Sequence, residues 1–184
     1  SASEQDTGEL RGLGTYGFIR NPAGFIIGPT GPGIRNLEDF GYAMECIVLY
    51  ATKLGLGTCW LGGTFSRSSF SEKAGLQPGE ILPAVVSFGY PAEKSQAHLI
   101  RTLASSDRRF SWETLFFEQS PEQPLKKDQS GIFRLPLDMV RLAPSASNRQ
   151  PWRVVRDQEN FHFFLPRNQS MKPGSVLTRL LGMA

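Results

Sequence analysis

Cysteine and histidine are scarce in this sequence, which has two of each among its 184 residues. Two cysteines, Cys46 and Cys59, do not make a disulfide framework, so we expect a reducing, cytoplasmic setting. His98 and His162 lack the clustered cysteine and histidine ligands that a zinc site needs, and we expect no metal. No apolar run approaches the roughly 20 residues needed to span a bilayer, so we expect no membrane partner.

A dense run of basic residues is also missing. The net charge is +3, and the only basic doublets are Arg108-Arg109 and Lys126-Lys127. Nucleic-acid-binding proteins generally carry a denser basic stripe, so we expect no nucleic-acid partner. A small anionic ligand such as a phosphate would suit this charge equally well. Hydrophobic residues make up 40% and charged residues 20% of the chain, which indicates an ordinary globular protein of one domain.

A helical pattern begins after Asn36, which we interpret as the helix N-cap. Apolar residues recur at helical spacing up to Gly55, a suitable helix stop, so the sequence predicts a long central helix over about 37–54. The apolar residues expected on its buried face are Phe40, Met44, Ile47, Val48, Ala51 and Leu54.

Short strand patterns lie on both sides of this helix. Residues 16–28 predict two strands around an NPAG turn, residues 81–91 predict a buried strand, and residues 152–165 predict a second hairpin. Two shorter helices are expected at 111–119 and 136–142, with a polar connector at 120–131 as the candidate internal boundary.

The two predicted hairpins resemble each other. When YGFIRNPAGFIIGP is laid over WRVVRDQENFHFFL, apolar positions coincide and Arg20 meets Arg156. Each hairpin leads to a similar helix start, LEDFGYAME in one case and LTRLLGMA in the other. We therefore predict a degenerate internal duplication with pseudo-repeats of about 1–119 and 132–184. The second helix breaks off at Ala184, so we expect the domain to be incomplete at both termini.

Two short segments suggest chemistry, although each also has a purely structural interpretation. GLGTCWLGG (55–63) follows a helix, unlike Rossmann or phosphate-binding loops, whose glycines follow a strand. It is either a helix stop before a buried tryptophan or a backbone that a flat ligand can approach closely. PSASNRQPW (144–152) is either a polar turn that satisfies its own backbone or a loop that binds the heteroatom edge of a planar ring. Cys59 matches no redox motif and is interpreted as a small core residue.

Together these segments resemble a known family. PSASNRQPWRVV closely resembles the signature P-S-x-x-N-x-Q-P-W of the FMN-dependent nitroreductases. DFGYAMECIVLYATKLGLGTCWLGG resembles their central helix and flavin-facing loop, and ILPAVVSFGYP resembles the strand that follows. The resemblance covers roughly 16–91 and 135–184. Because the Asn-Gln loop here follows the helix, the order is similar to a single-chain branch with two fused nitroreductase-like halves. The family's Arg-Arg-Ser-x-Arg element, which grips the FMN phosphate, is absent from the sequence.

The resemblance implies an α+β, nitroreductase-like sandwich with a mixed or antiparallel sheet and FMN between its two halves. Groups of the polar loop would line one side of the flavin, and backbone N–H groups of the glycine loop would approach the ring edge. No catalytic acid or base is implied, because the redox chemistry belongs to the cofactor. The implied cofactor-binding residues are Pro144, Ser145, Ala146, Asn148 and Gln150 in the polar loop and Trp60, Leu61, Gly62 and Gly63 in the glycine loop.

The implied function is that of an FMN-dependent oxidoreductase. It would pass hydride from NAD(P)H to a nitroaromatic, a quinone or a similar flat small-molecule acceptor. One alternative is a flavin-binding or storage protein without turnover, and another is a structural domain without a ligand. Because a fused second half would supply what a partner subunit supplies elsewhere, we expect a monomer that imitates the family's dimer.

Overall fold

A computed structural model describes residues 19, 21–62, 67–91 and 105–165 of the chain. The described residues fall into two compact units, the first drawn from 1–93 and the second from 94–172. Each unit has a three-stranded sheet of its own. Within the described ranges, no helix is both long enough and apolar enough to cross a membrane.

The long central helix, α1, spans Asn36–Lys53, close to the predicted bounds. The N–H of Gly55 donates to the carbonyl of Thr52 over 2.9 Å, and Gly55 has a left-handed φ of +80°. The N–H of Leu56 donates to the carbonyl of Ala51 over 3.0 Å, which completes a Schellman motif. The prediction that Gly55 ends this helix is therefore confirmed.

Two details of α1 differ from the prediction. Asn36 is the first helical residue rather than a side-chain cap, because its amide donates to the carbonyl of Gly31 over 2.8 Å. The buried face is also narrower than predicted. Ile47 is 43% exposed at the edge of the apolar stripe, and Leu54 is 60% exposed because it lies beyond the last turn. The buried residues of α1 are Met44, Val48 and Ala51.

The first unit contains an antiparallel sheet with both faces covered. Its other elements are β1 (Gly24–Ile27), β2 (Gly57–Leu61), α2 (Arg67–Ala74) and β3 (Val85–Gly89). The strand order is β1-β3-β2, so β3 pairs with both neighbours. Successive side chains of a strand point to opposite faces. Val86 accordingly packs with Met44 and Val48 of α1, whereas Val85 packs with Phe70 of α2.

The second unit contains a mixed sheet. Its elements are α3 (Trp112–Leu115), β4 (Phe116–Glu118), α4 (Arg134–Leu142), β5 (Arg153–Asp157) and β6 (Asn160–Phe164). β4 pairs in parallel with β5, and β5 pairs antiparallel with β6. The rings of Trp112 and Phe116 lie 4.5 Å apart between centroids. The buried core of this unit consists of Trp112, Leu115, Phe116, Leu125, Leu137 and Val154.

The α+β class, with one antiparallel and one mixed sheet, confirms the predicted fold class. Two local expectations are corrected. The helix predicted over 111–119 ends at Leu115, because the next three residues pair with β5 as a strand. The segment 120–131 is not a loose connector, because Leu125 and Ser130 are buried within the second unit.

The internal duplication stays a prediction. The hairpin of the second predicted repeat is present as β5 and β6. In the first repeat, the strand expected at 16–20 falls mostly outside the described residues. The helix start expected at 177–184 lies wholly outside them.

Candidate functional site

The polar loop predicted to bind a cofactor connects α4 to β5. It contains a 3-10 turn over Ala146–Asn148. Asn148 and Gln150 both have left-handed backbones, with φ of 51° and 46°. Asparagine enters this region fairly often, but a longer side chain does so rarely, so contacts must hold the loop in this conformation. One of them is the N–H of Gln150, which donates to Ser145 Oγ over 2.8 Å.

The side chain of Asn148 binds the backbone of another segment, residues 105–110. Its Nδ2 donates to the carbonyl of Ser105 over 2.6 Å and to that of Arg108 over 2.9 Å. Its Oδ1 accepts a hydrogen bond from Nη1 of Arg109 over 3.4 Å. Both amide hydrogens and the amide oxygen are therefore engaged within the protein.

Gln150 binds the same segment from a buried position, with 2% of the residue exposed. Its Oε1 accepts from the N–H of Phe110 over 2.8 Å. Its Nε2 donates to the carbonyls of Asn148 and Arg108 over 3.2 and 3.5 Å. A buried amide without partners would be destabilising, so these bonds explain how Gln150 tolerates burial. The structure thus brings Ser145, Asn148 and Gln150 together.

Three arginines also contact this region. Nη2 of Arg109 donates to the carbonyl of Leu142, at the end of α4, over 3.1 Å. Nη1 of Arg141 donates to the carbonyl of Phe110 over 3.4 Å. The guanidinium carbon of Arg153 lies 5.7 Å from the centre of the Phe110 ring. The segment is therefore held against both the end of α4 and the polar loop.

The remaining predicted residues of the polar loop are more accessible. Pro144 and Ala146 are exposed, as is the neighbouring Arg149. Pro144 and Ala146 have no polar side-chain groups, so they can offer only backbone atoms and apolar surface to a ligand.

Trp60, predicted in a loop, lies instead in strand β2, where it pairs with Val86, and it is held by α1 of the first unit. Its Nε1 donates to Oε2 of Glu45 over 3.1 Å. Its ring meets that of Phe40 edge-on, with centroids 6.2 Å apart. Trp60 is half-buried, and these two contacts fix the orientation of its indole.

The three residues after Trp60 differ from one another. Leu61 is fully buried in the core with Phe70 and Val85, so only its backbone remains for a ligand. A Cβ built on Gly62 would have no atom of the described residues within 4 Å. Gly63 lies outside the described residues.

Cys59 packs on the same side of the sheet as Leu61. Burial raises the pKa of the Cys59 thiol above its ordinary value. Its Sγ lies 3.6 Å from the carbonyl oxygen of Trp60. These surroundings fit a small core residue and disfavour the thiolate that a reactive cysteine needs.

Sequence reasoning missed two residues that hold the predicted segments, Glu45 in the first unit and Arg109 in the second. Glu45 was only one polar position on a helix, and its contact with Trp60 could not be inferred from spacing. Arg109 was missed because the Arg-Arg-Ser-x-Arg element is absent as a whole. The Arg108-Arg109 doublet, followed by Phe110 instead of serine, was the available signal.

Each unit by itself offers groups that suit one part of a phosphate-bearing flavin. In the first unit, no described residue would crowd a Cβ at Gly62, so the backbone there permits close approach. Arg108 and Arg149 are exposed, and a guanidinium matches phosphate oxygens in charge and geometry. The amides of Asn148 and Gln150 already bind peptide groups, so they would have to exchange partners to contact a ring.

The sequence matches a protein-family model described as "Putative TM nitroreductase" over residues 5–173. A search of curated proteins found no match.

Three solved structures are similar to parts of this chain. A "putative nitroreductase" from Thermotoga maritima MSB8 is 20% identical, covering 91% of this chain and 68% of its own, with a TM-score of 0.46. A nitroreductase family protein from Clostridium novyi NT is 27% identical, covering 42% and 49%, with a TM-score of 0.36. A "Putative NADH Oxidase" from Clostridium acetobutylicum is 23% identical, covering 50% and 61%, with a TM-score of 0.41. The chain thus spans less than two thirds of the two clostridial proteins.

The family assignment rests on the family model rather than on these structural similarities. Its match runs from residue 5 to residue 173 and includes both the glycine loop and the polar loop. The chain therefore belongs to the nitroreductase family.

Proposed function

We propose that this protein is an FMN-dependent oxidoreductase that passes hydride from NAD(P)H to a nitroaromatic, a quinone or a similar flat acceptor. Membership of the nitroreductase family supports an oxidoreductase role, and nitroreductases generally use a flavin. The identity of the flavin, the donor and the acceptor belong to the proposal.

The conformation of the polar loop is the observation that carries the proposal. Asn148 and Gln150 hold left-handed backbones, which cost about 1–3 kcal/mol each in non-glycine residues. Such conformations cluster at active sites and ligand clamps. Here they occur within the segment that matches the family signature.

The proposed cofactor contacts use several kinds of group. When bound, FMN would supply the hydride exchange. The guanidinium group of Arg108 would bind its phosphate, and the backbone of 60–63 would approach the edge of its ring. Residues 144–150 would flank the ring and the ribityl chain. These residues bind and orient, and we assign no catalytic acid or base.

Colour tests the proposal directly. Protein incubated with FMN and then gel-filtered should remain yellow, and NADH or NADPH added without oxygen should bleach it. Gly62→Val is the matched variant. None of the described residues lies within 4 Å of a Cβ built at Gly62, so the fold should persist while the ring is excluded.

The outcomes separate the candidate functions. Yellow protein that neither nicotinamide bleaches would favour the alternative, a flavin-binding or storage protein. Colourless protein at FMN concentrations well above the micromolar range would reject both. A yellow Gly62→Val variant would show that the glycine loop does not face the ring.

A further inference from the structure

We propose that Asn148 and Gln150 are positioning residues, which act on the anionic end of the ligand through the 105–110 segment. The inference rests on the proposed function, because the anion in question is the phosphate of the flavin. It differs from a direct contact of these two amides with the flavin ring, which the family resemblance implies.

The hydrogen-bonding capacity of Asn148 is already used within the second unit. A primary amide offers two N–H groups and one carbonyl oxygen. Both N–H groups donate to peptide carbonyls, of Ser105 at 2.6 Å and of Arg108 at 2.9 Å. The oxygen faces Nη1 of Arg109 at 3.4 Å. All four residues lie in the second unit, so this arrangement is local to it.

Gln150 is engaged with the same segment. Its Oε1 accepts from the N–H of Phe110 at 2.8 Å, and its Nε2 lies 3.5 Å from the carbonyl oxygen of Arg108. A ring that took over Oε1 would deprive the N–H of Phe110 of this acceptor. Holding the segment is therefore the role that the contacts of Gln150 support.

The segment holds two arginines and one aspartate, Asp107, so its net charge is positive. The Arg108 peptide carbonyl receives hydrogen bonds from both amides, while Arg108 as a residue is exposed. Arg109 lies against the end of α4, and its buried Nε has no hydrogen-bond partner within the described part of the chain. A guanidinium stays protonated at any physiological pH. Fixing the Arg108 peptide thus fixes where the exposed and permanently charged side chain of Arg108 leaves the segment.

The decisive comparison is between FMN and riboflavin, which share the ring and ribityl chain and differ in the phosphate. Asn148→Gly is the sharpest variant, because the φ of 51° suits glycine and only the amide is lost. In fluorescence titrations we expect the Kd for FMN to rise about tenfold and the Kd for riboflavin to change less than about twofold. Gln150→Met, whose side chain has a similar length, should likewise raise the Kd for FMN much more than the Kd for riboflavin.

Arg108→Gln is the matched control, because it removes an exposed guanidinium and leaves both amides in place. Arg108→Gln should weaken the binding of FMN and leave the binding of riboflavin unchanged. Inorganic phosphate should compete with FMN less well than in the parent protein. Circular dichroism checks that each variant is folded.

If Asn148→Gly weakened the binding of FMN and riboflavin equally, or changed the Kd of neither, the inference would be overturned and the proposed function would stand. A parent protein that binds neither flavin would instead reject the proposed function, and this inference with it.

Discussion

The two cysteines differ in their surroundings, and this gives a prediction for single residues. Burial raises the pKa of Cys59, so at a given pH less of it is the reactive thiolate. Cys46 is exposed on α1. With iodoacetamide near pH 8, Cys46 should therefore be alkylated first, and raising the pH should narrow the difference. Mass spectrometry of Cys46→Ser and Cys59→Ser measures each rate separately. Faster labelling of Cys59 would contradict the assignment of this thiol to the core.

At the scale of residues, the sequence identifies the polar loop but not what its side chains touch. The signature points to Asn148 and Gln150 because prolines and polar groups are adjacent in the chain. Their partners, Ser105 and Phe110, lie about forty residues earlier. No local pattern connects such distant segments, since tertiary folding alone brings them together. The same holds for Trp60 and Glu45.

The end of α1 provides a prediction for an element. Gly55→Ala should lower the free energy of unfolding by about 1 kcal/mol or more, because φ of +80° disfavours any residue with a Cβ. Gly41→Ala is the opposite case within the same helix. A Cβ there would meet no atom of the described residues within 4 Å, so the change should stabilise the protein by about 0.5–1 kcal/mol. Urea unfolding followed by circular dichroism measures both, and shifts of the same sign would refute the argument.

Among the elements, α1 could be predicted because apolar residues recur at helical spacing up to its end and a glycine, Gly55, follows there as a helix stop. β4 could not be predicted, because SWETLFFEQ suits a helix locally, and only pairing with β5 selects a strand for its second half. The segment 120–131 is polar almost throughout, yet Leu125 is buried in the core of the second unit. The average composition of such a segment is polar, so it does not reveal that a single side chain is buried.

For the whole molecule, we expect a monomer, because a fused second half would supply the surface that a partner subunit supplies in ordinary nitroreductases. This expectation comes from the order of the segments along the chain, in which the polar loop (144–152) follows the glycine loop (55–63). Static light scattering on the purified protein should give the mass of one chain. A stable dimer that binds two flavins would contradict it, and the exposed Tyr42 and Leu49 of α1 would then be the first residues to examine as its interface.

The mixed sheet of the second unit also has a consequence for chain closure. β5 and β6 are joined by a tight turn between Asp157 and Asn160, so their pairing requires almost no loop to close. β4 can join only when the chain from Glu118 to Arg153 has returned on itself. The entropic free-energy cost of closing this loop grows only slowly with its length, by about 0.6 kcal/mol for each doubling. Extra residues in exposed parts of this connection would therefore cost the unit little stability, although every strand pair in it is short.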